Sequence, residues 1–140
     1  MNSLKNSDWP SIILLLLEEE RLLKMKENII LNKSIEFSVG IRNYCNALYY
    51  KKETAIANQL LRSGMAIGAN VSEAQQAESR SDFIHKMKIA AKEASELMYW
   101  LSVCEKSDIA GFQHELISEV NQIIAILSRI IISAKKNKLT

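Results

Sequence analysis

The chain has 140 residues, 48% of them hydrophobic, with one Pro, four Gly and a formal charge of +2. That length suits one domain burying roughly two-thirds of its unfolded surface. So few Pro and Gly argue for helices against a turn-rich β fold, and the charge is too small to announce a nucleic-acid binder by itself.

Taken in chain order, residues 1–25 form an extension that is either helical or poorly ordered. Asp8-Trp9-Pro10 reads as a helix start, with Asp8 as cap and Pro10 in the first turn. Ile12 to Leu17 are apolar and Glu18-Glu19-Glu20-Arg21 follow at once. This run is far short of the roughly 20 residues that span a bilayer, and acids stand where a signal peptide has its small-residue cleavage site. No membrane partner is expected, and the segment is an appended amphipathic helix or leader that can serve as an apolar anchor for a partner.

Residues 26–140 carry a regular pattern. Ile30, Phe37, Ile41, Tyr44 and Leu48 recur at helical spacing and predict a first bundle helix ending near Tyr50. Lys51-Lys52-Glu53-Thr54 breaks it, with Thr54 as the expected cap of a second helix running to about Ala77. After Glu78-Ser79-Arg80-Ser81, where Ser79 or Ser81 caps, Phe83, Met87, Ala90, Ala94, Leu97, Leu101 and Cys104 form a heptad seam. A second stripe of Lys86, Ile89, Glu93, Glu96, Trp100 and Val103 lies beside that seam, mixing charge with apolar surface as at a subunit interface or polar cleft. Ser107 to Phe112 is the last turn. Leu116, Val120, Ile123, Leu127 and Ile130 then mark a fourth helix, flanked by Ile117, Ile124 and Ile131. The implied fold is all-α, an antiparallel up-down-up-down four-helix bundle.

The second helix holds the most informative stretch. Gly64, Gly68 and Ser72 stand four apart, and each glycine costs about 1 kcal/mol in a helix interior. Such a smooth strip permits a close helix crossing, for which the Ala90 and Ala94 strip of the third helix is the expected receiver. Arg62, Asn70 and Glu73 add polar groups to the same segment. Arg62 is expected to pair with Glu93 or Glu96, and Asn70 to bond a helix end or side chain, in a network that sets register and assembly.

Catalytic readings find little purchase. Gly64-x-x-x-Gly68 lacks the Lys-Ser or Lys-Thr and the preceding strand of a phosphate loop. Neither His85 nor His114 follows a glutamate by three, as di-iron bundles require. Ser63 and Ser72 have no histidine at a helical offset, and Cys45 and Cys104 read as core residues of a chain in the reducing cytoplasm. No metal, cofactor or catalytic residue is expected; Glu93 and Glu96 are the remaining candidates for a buried titrating pair. For nucleic acid the candidates are Lys51, Lys52, Arg80, Lys86, Lys88, Lys92, Lys135, Lys136 and Lys138, at helix ends and along the third helix.

The run Leu60-Leu61-Arg62-Ser63-Gly64-x-x-Ile67-Gly68-Ala69-Asn70-x-x-Glu73-Ala74 resembles the signature of the bacterial 23S rRNA intervening-sequence proteins, the four-helix bundle protein family. Ala77-Glu78-Ser79-x-x-Asp82-Phe83-x-x-Lys86 and Lys92-Glu93-Ala94-x-Glu96-x-x-Tyr99-Trp100-Leu101 match the rest of it. The resemblance implies a bundle assembled as a homopentameric ring, with a biochemical role that is unsettled for the family. A distant relative, the accessory variability protein of diversity-generating retroelements, binds nucleic acid and a reverse transcriptase. By resemblance, Arg62, Gly64, Gly68, Asn70, Glu73, Lys92, Glu93, Glu96, Tyr99 and Trp100 are structural or interface positions. Met65 and Ala66 stand where many members have Thr-Ser, and Met25-Lys26-Glu27-Asn28-Ile29-Ile30 resembles the usual beginning of members, which makes Met25 a candidate native start. The expectation is a non-enzymatic, homo-oligomeric cytoplasmic protein that binds RNA, DNA or a ribonucleoprotein. The alternative is a protein-binding adaptor for a reverse transcriptase or another mobile-element enzyme.

Overall fold

The computed structural model describes residues 8–109 and 111–136. Four helices follow in order: α1 (Trp9–Tyr50), α2 (Thr54–Ala74), α3 (Arg80–Lys106) and α4 (Glu115–Lys136). Packing runs α1 on α2, α2 on α3, α3 on α4 and α4 back on α1. The turn at residues 51–53 is too short to cross the length of a helix, so α2 returns antiparallel to α1, and the bundle closes as a square of neighbours.

The helix boundaries follow from local chemistry. Between Trp9 and Tyr50 nothing stops a helix: the lone Pro lies in the first turn. The extension and the first bundle helix are therefore one element, about 63 Å long at 1.5 Å per residue. Asp8 does not cap it. Its backbone is already helical and its side chain makes no cap bond, whereas a capping carboxylate needs an extended backbone to reach the free amides. Thr54 is likewise the first residue of α2 and not its cap; Glu53 accepts from the Ala57 amide at 3.1 Å. The helix stops at Ala74, short of Ala77, because the amides of Gln75, Gln76 and Ala77 bond three residues back, which tightens the chain into a turn. Ser79 does cap α3, accepting from the Asp82 amide at 3.0 Å. At the far ends of α1 and α3, Lys52 (φ 64°) and Asp108 (φ 53°) take the left-handed conformation. The amide of the following residue then reaches five back, Glu53 to Leu48 and Ile109 to Cys104.

The core follows the heptad seams. Ile30, Phe37, Ile41, Tyr44 and Leu48 of α1 meet Leu60, Ile67 and Val71 of α2. Met87, Ala90, Ala94, Leu97, Leu101 and Cys104 of α3 and Leu116, Val120, Ile123, Leu127 and Ile130 of α4 complete it. Phe83 is half-buried and Ile84 takes the core position at the start of α3. By length and composition alone α4 is long and apolar enough to cross a bilayer; in the bundle its buried stripe, Leu116 to Ala134, faces the other helices.

The glycine strip does not face α3. A Cβ on Gly64 would stand 2.9 Å from Ile41 Cγ2, and one on Gly68 would stand 3.4 Å from Ser34 Cβ, both on α1. Glycines of α2 thus oppose serines and an isoleucine of α1. Ser34 and Ser38 absorb their own hydroxyls by donating to the carbonyls four residues back, at 2.7 and 2.8 Å. Ala90 and Ala94 are buried by the general core and do not receive the strip.

The two glycines therefore respond differently to alanine. Gly64→Ala gains about 1 kcal/mol of helix propensity but presses a methyl onto the fully buried, β-branched Ile41, an overpacking cost of about 1–3 kcal/mol. Gly68→Ala meets only ordinary contacts and keeps its gain. Urea melts are expected to show Gly64→Ala less stable than the parent and Gly68→Ala more stable; the same sign for both would contradict this packing.

Candidate functional site

The mixed stripe of α3 lies where α3 meets α2, and all six of its residues are half-buried: Lys86, Ile89, Glu93, Glu96, Trp100 and Val103. Arg62 reaches across from α2. Its Nη1 donates to Glu93 Oε2 at 3.2 Å and its Nη2 donates to Glu96 Oε1. Trp100 Nε1 donates to the same Glu96 oxygen at 3.2 Å, and the Tyr99 ring stands edge-on to Trp100 at 4.9 Å. Toward the other end of the helix pair, Lys86 Nζ donates to Glu73 Oε2 at 2.8 Å. Glu73 therefore meets Lys86 and not the two other glutamates. Asn70 turns back on its own helix, donating to the Ala66 carbonyl at 2.8 Å.

Electrostatics make this a structural set. Hydrogen bonds from Arg62 and then Trp100 hold the Glu96 carboxyl below the usual range, the opposite of what a proton donor requires. Burial pushes the Cys45 thiol up to about 11 and the Cys104 thiol in the same direction, so both stay protonated and act as core. Burial, with the Cys104 and Cys45 thiols adding, also holds the Tyr44 phenol above its usual range. Among the described residues no three potential metal ligands lie together, and His85 and His114 are both exposed.

The basic candidates separate. Lys51 and Lys52 cap the α1–α2 end of the bundle, where the Lys51 ammonium lies 3.3 Å from the position of a Cβ on Gly111. Arg80, Lys86, Lys135 and Lys136 sit at the opposite end, about 40 Å away along α3. Arg80 there donates to the Ala134 carbonyl at 3.1 Å, a cation on the C-terminal carbonyls of α4. Lys138 lies outside the described residues. Lys88 and Lys92 belong to neither end but to the outer face of α3, where Ser81, His85, Lys88, Lys92, Ser95, Tyr99 and Lys106 are exposed and Ser102 half-buried. These eight positions recur in steps of four and three and include no acid. The four acids of α3 lie off this stripe: Asp82 accepts from the Glu78 amide at 3.2 Å, Glu93 and Glu96 pair with Arg62, and Glu105 meets His114 at 3.3 Å. Lys106 and His85 complete this stripe and escaped the sequence reading, although the same spacing that marked the core seam marks them too.

The linkage of Glu96 has a sign. Its folded pKa lies below that of the unfolded chain, so its stabilising contribution is whole above the ordinary glutamate range and is lost as pH falls through the depressed value. Thermal melts taken from neutral pH down to about pH 3 are expected to fall less steeply on the acid side in Glu96→Gln than in the parent. Equal acid slopes would remove this carboxylate from the stability account.

The sequence model of the 23S rRNA-intervening sequence protein family matches residues 26–131. No curated protein matches. A crystal structure of a protein of unknown function from the S23 ribosomal protein family of Bacteroides thetaiotaomicron is 41% identical, with a TM-score of 0.72. The match covers 76% of this chain and 97% of that one.

Proposed function

The chain belongs to the 23S rRNA-intervening sequence protein family, and from that premise we propose that it is a non-enzymatic, homo-oligomeric scaffold that binds RNA along the outer face of α3. The observation that carries this reading is the acid-free stripe of His85, Lys88, Lys92, Tyr99 and Lys106. From His85 to Lys106 it runs about 32 Å along one helix. Lys88 and Lys92 stand about 6 Å apart along the axis, within reach of neighbouring phosphates, and Lys106 meets a further phosphate about 21 Å on. Tyr99, 60% exposed and braced edge-on by Trp100, offers a ring on which an unpaired base stacks. A ring of five copies, the assembly that the family resemblance implies, would set five such stripes side by side and raise the local field well above what a net charge of +2 per chain provides.

The Arg62, Glu93 and Glu96 network supports this layout from behind. By pairing two carboxylates of α3 with Arg62, it offsets negative charge that would oppose the stripe. It needs no second chain to do so, and its place in the proposal is to hold α3 against α2.

Fluorescence anisotropy of a labelled 23S rRNA hairpin, titrated across salt with native mass measured alongside, tests the reading. Affinity is expected to fall steeply with salt. In a Lys88→Ala/Lys92→Ala/Lys106→Ala variant the slope of log affinity against log salt is expected to shrink by roughly 2, at about 0.7 per phosphate lost on a single strand. Lys135→Ala/Lys136→Ala is expected to leave that slope nearly unchanged. No binding at low salt, or equal slopes in the two variants, would overturn the proposal.

A further inference from the structure

The part of α1 that precedes residue 26 lies outside the family match, yet it continues the bundle helix without a break. Its surface is unlike that of a solvated helix. Leu14 and Leu15 are each 66% exposed, and Leu22, Met25 and Ile29 are about half exposed farther along. Leu15, Leu22 and Ile29 are seven apart, with Met25 between the last two, so they form an outward seam of heptad period. A single exposed leucine means nothing, but Leu22, Met25 and Ile29 at three successive seam positions, with Leu14 and Leu15 beyond Glu18, mark a contact site. The period selects a helix as its cover, and the charges beside the seam select which one.

We propose that this seam pairs with the same seam of a second copy of the chain, antiparallel. With Leu22 facing the partner's Met25, residue numbers on the two helices sum to 47 across each layer. Two Leu22–Met25 layers, related by the two-fold axis, then form the centre, and Leu14 flanks the partner's Ile35, which is itself 54% exposed. On the other flank Glu19 meets the partner's Lys26, and Lys26 meets the partner's Glu19. Sliding by one heptad in either direction brings Glu19 against Glu19 or Lys26 against Lys26. A parallel pair brings Arg21 against Lys26. Of these arrangements the antiparallel one described is the one without a like-charge pair beside the seam. It is also self-complementary, as a two-fold contact must be. Outside the two central layers the same register sets Glu18 against the partner's Ile29 and Asn32 against the partner's Leu15; Glu18 is already held by Arg21 at 2.8 Å, and these polar residues confine the tight apolar contact to the centre of the pair. α3 lies diagonally across the bundle from α1, so this contact leaves the basic stripe uncovered.

The experiment uses the full chain and reads association by sedimentation and native mass. Leu22→Glu/Met25→Glu is expected to halve the native mass while leaving helical circular dichroism unchanged, whatever other oligomer the bundle forms. Glu19→Lys and Lys26→Glu are each expected to weaken the pairing by about tenfold, and the double exchange to restore it. A native mass unaffected by Leu22→Glu/Met25→Glu would overturn the pairing. Stronger association of Lys26→Glu alone would overturn its direction and indicate a parallel pair, since that change relieves Arg21.

Discussion

The close approach of α2 to α1 at Gly64 is the constraint from which the rest of the arrangement follows. With no side chain there, Ile41 of α1 sits where a methyl would otherwise stand. Ser34 and Ser38 continue the contact one and two turns away by bonding their own helix and leaving their neighbour a smooth surface. This approach fixes the rotation of α2 about its axis. It directs Arg62, on another side of the same helix, toward α3. A rotation that turned the glycines to α3 would carry Arg62 away from Glu93 and Glu96 and strand two half-buried carboxylates.

The fold was largely legible because its signals are periodic. The heptad seams of α3 and α4 named the core almost residue by residue, and of the two serines readable as caps, Ser79 and Ser81, the first is the cap. What was not legible is which neighbour a face meets. A small-residue strip carries no information about its partner, and alanines at 90 and 94 offered as smooth a surface as the serines at 34 and 38. Serines became the answer because their hydroxyls can be absorbed locally, a property visible only once the hydrogen bonds are placed. The continuity of α1 was hidden for a different reason. Residues 12–17 are apolar and residues 18–21 charged, so the segment reads as a block set apart from the bundle helix, yet nothing in it breaks a helix.

The candidate site was legible in part. Arg62, Glu93 and Glu96 were recognisable as one network because an arginine on one helix and two carboxylates three apart on the next have few other ways to be satisfied. Their partner's chain could not be read from spacing, and the network closes within the protomer. The basic residues were recognisable as a set but not as a surface. Lysines at helix ends look alike in sequence, and only the bundle separates Lys52 from Lys136 by the length of α3 while aligning Lys88, Lys92 and Lys106.

The two exposed faces differ in kind because of where the square bundle places them. α1 and α3 are diagonal, so neither covers the other. α3 presents positive charge with its acids off the stripe, a surface whose attraction is long-ranged and weakened by salt. α1 presents leucine with its charges on the flanks, a surface whose attraction is short-ranged and whose specificity comes from register. A chain that pairs through α1 doubles the number of α3 stripes in one particle without adding a residue to any of them. When two stripes engage one RNA, the second binds at an effective concentration set by their separation and not by the bulk. A weak stripe on a nearly neutral domain then suffices, which is why a net charge of +2 is compatible with a role on RNA.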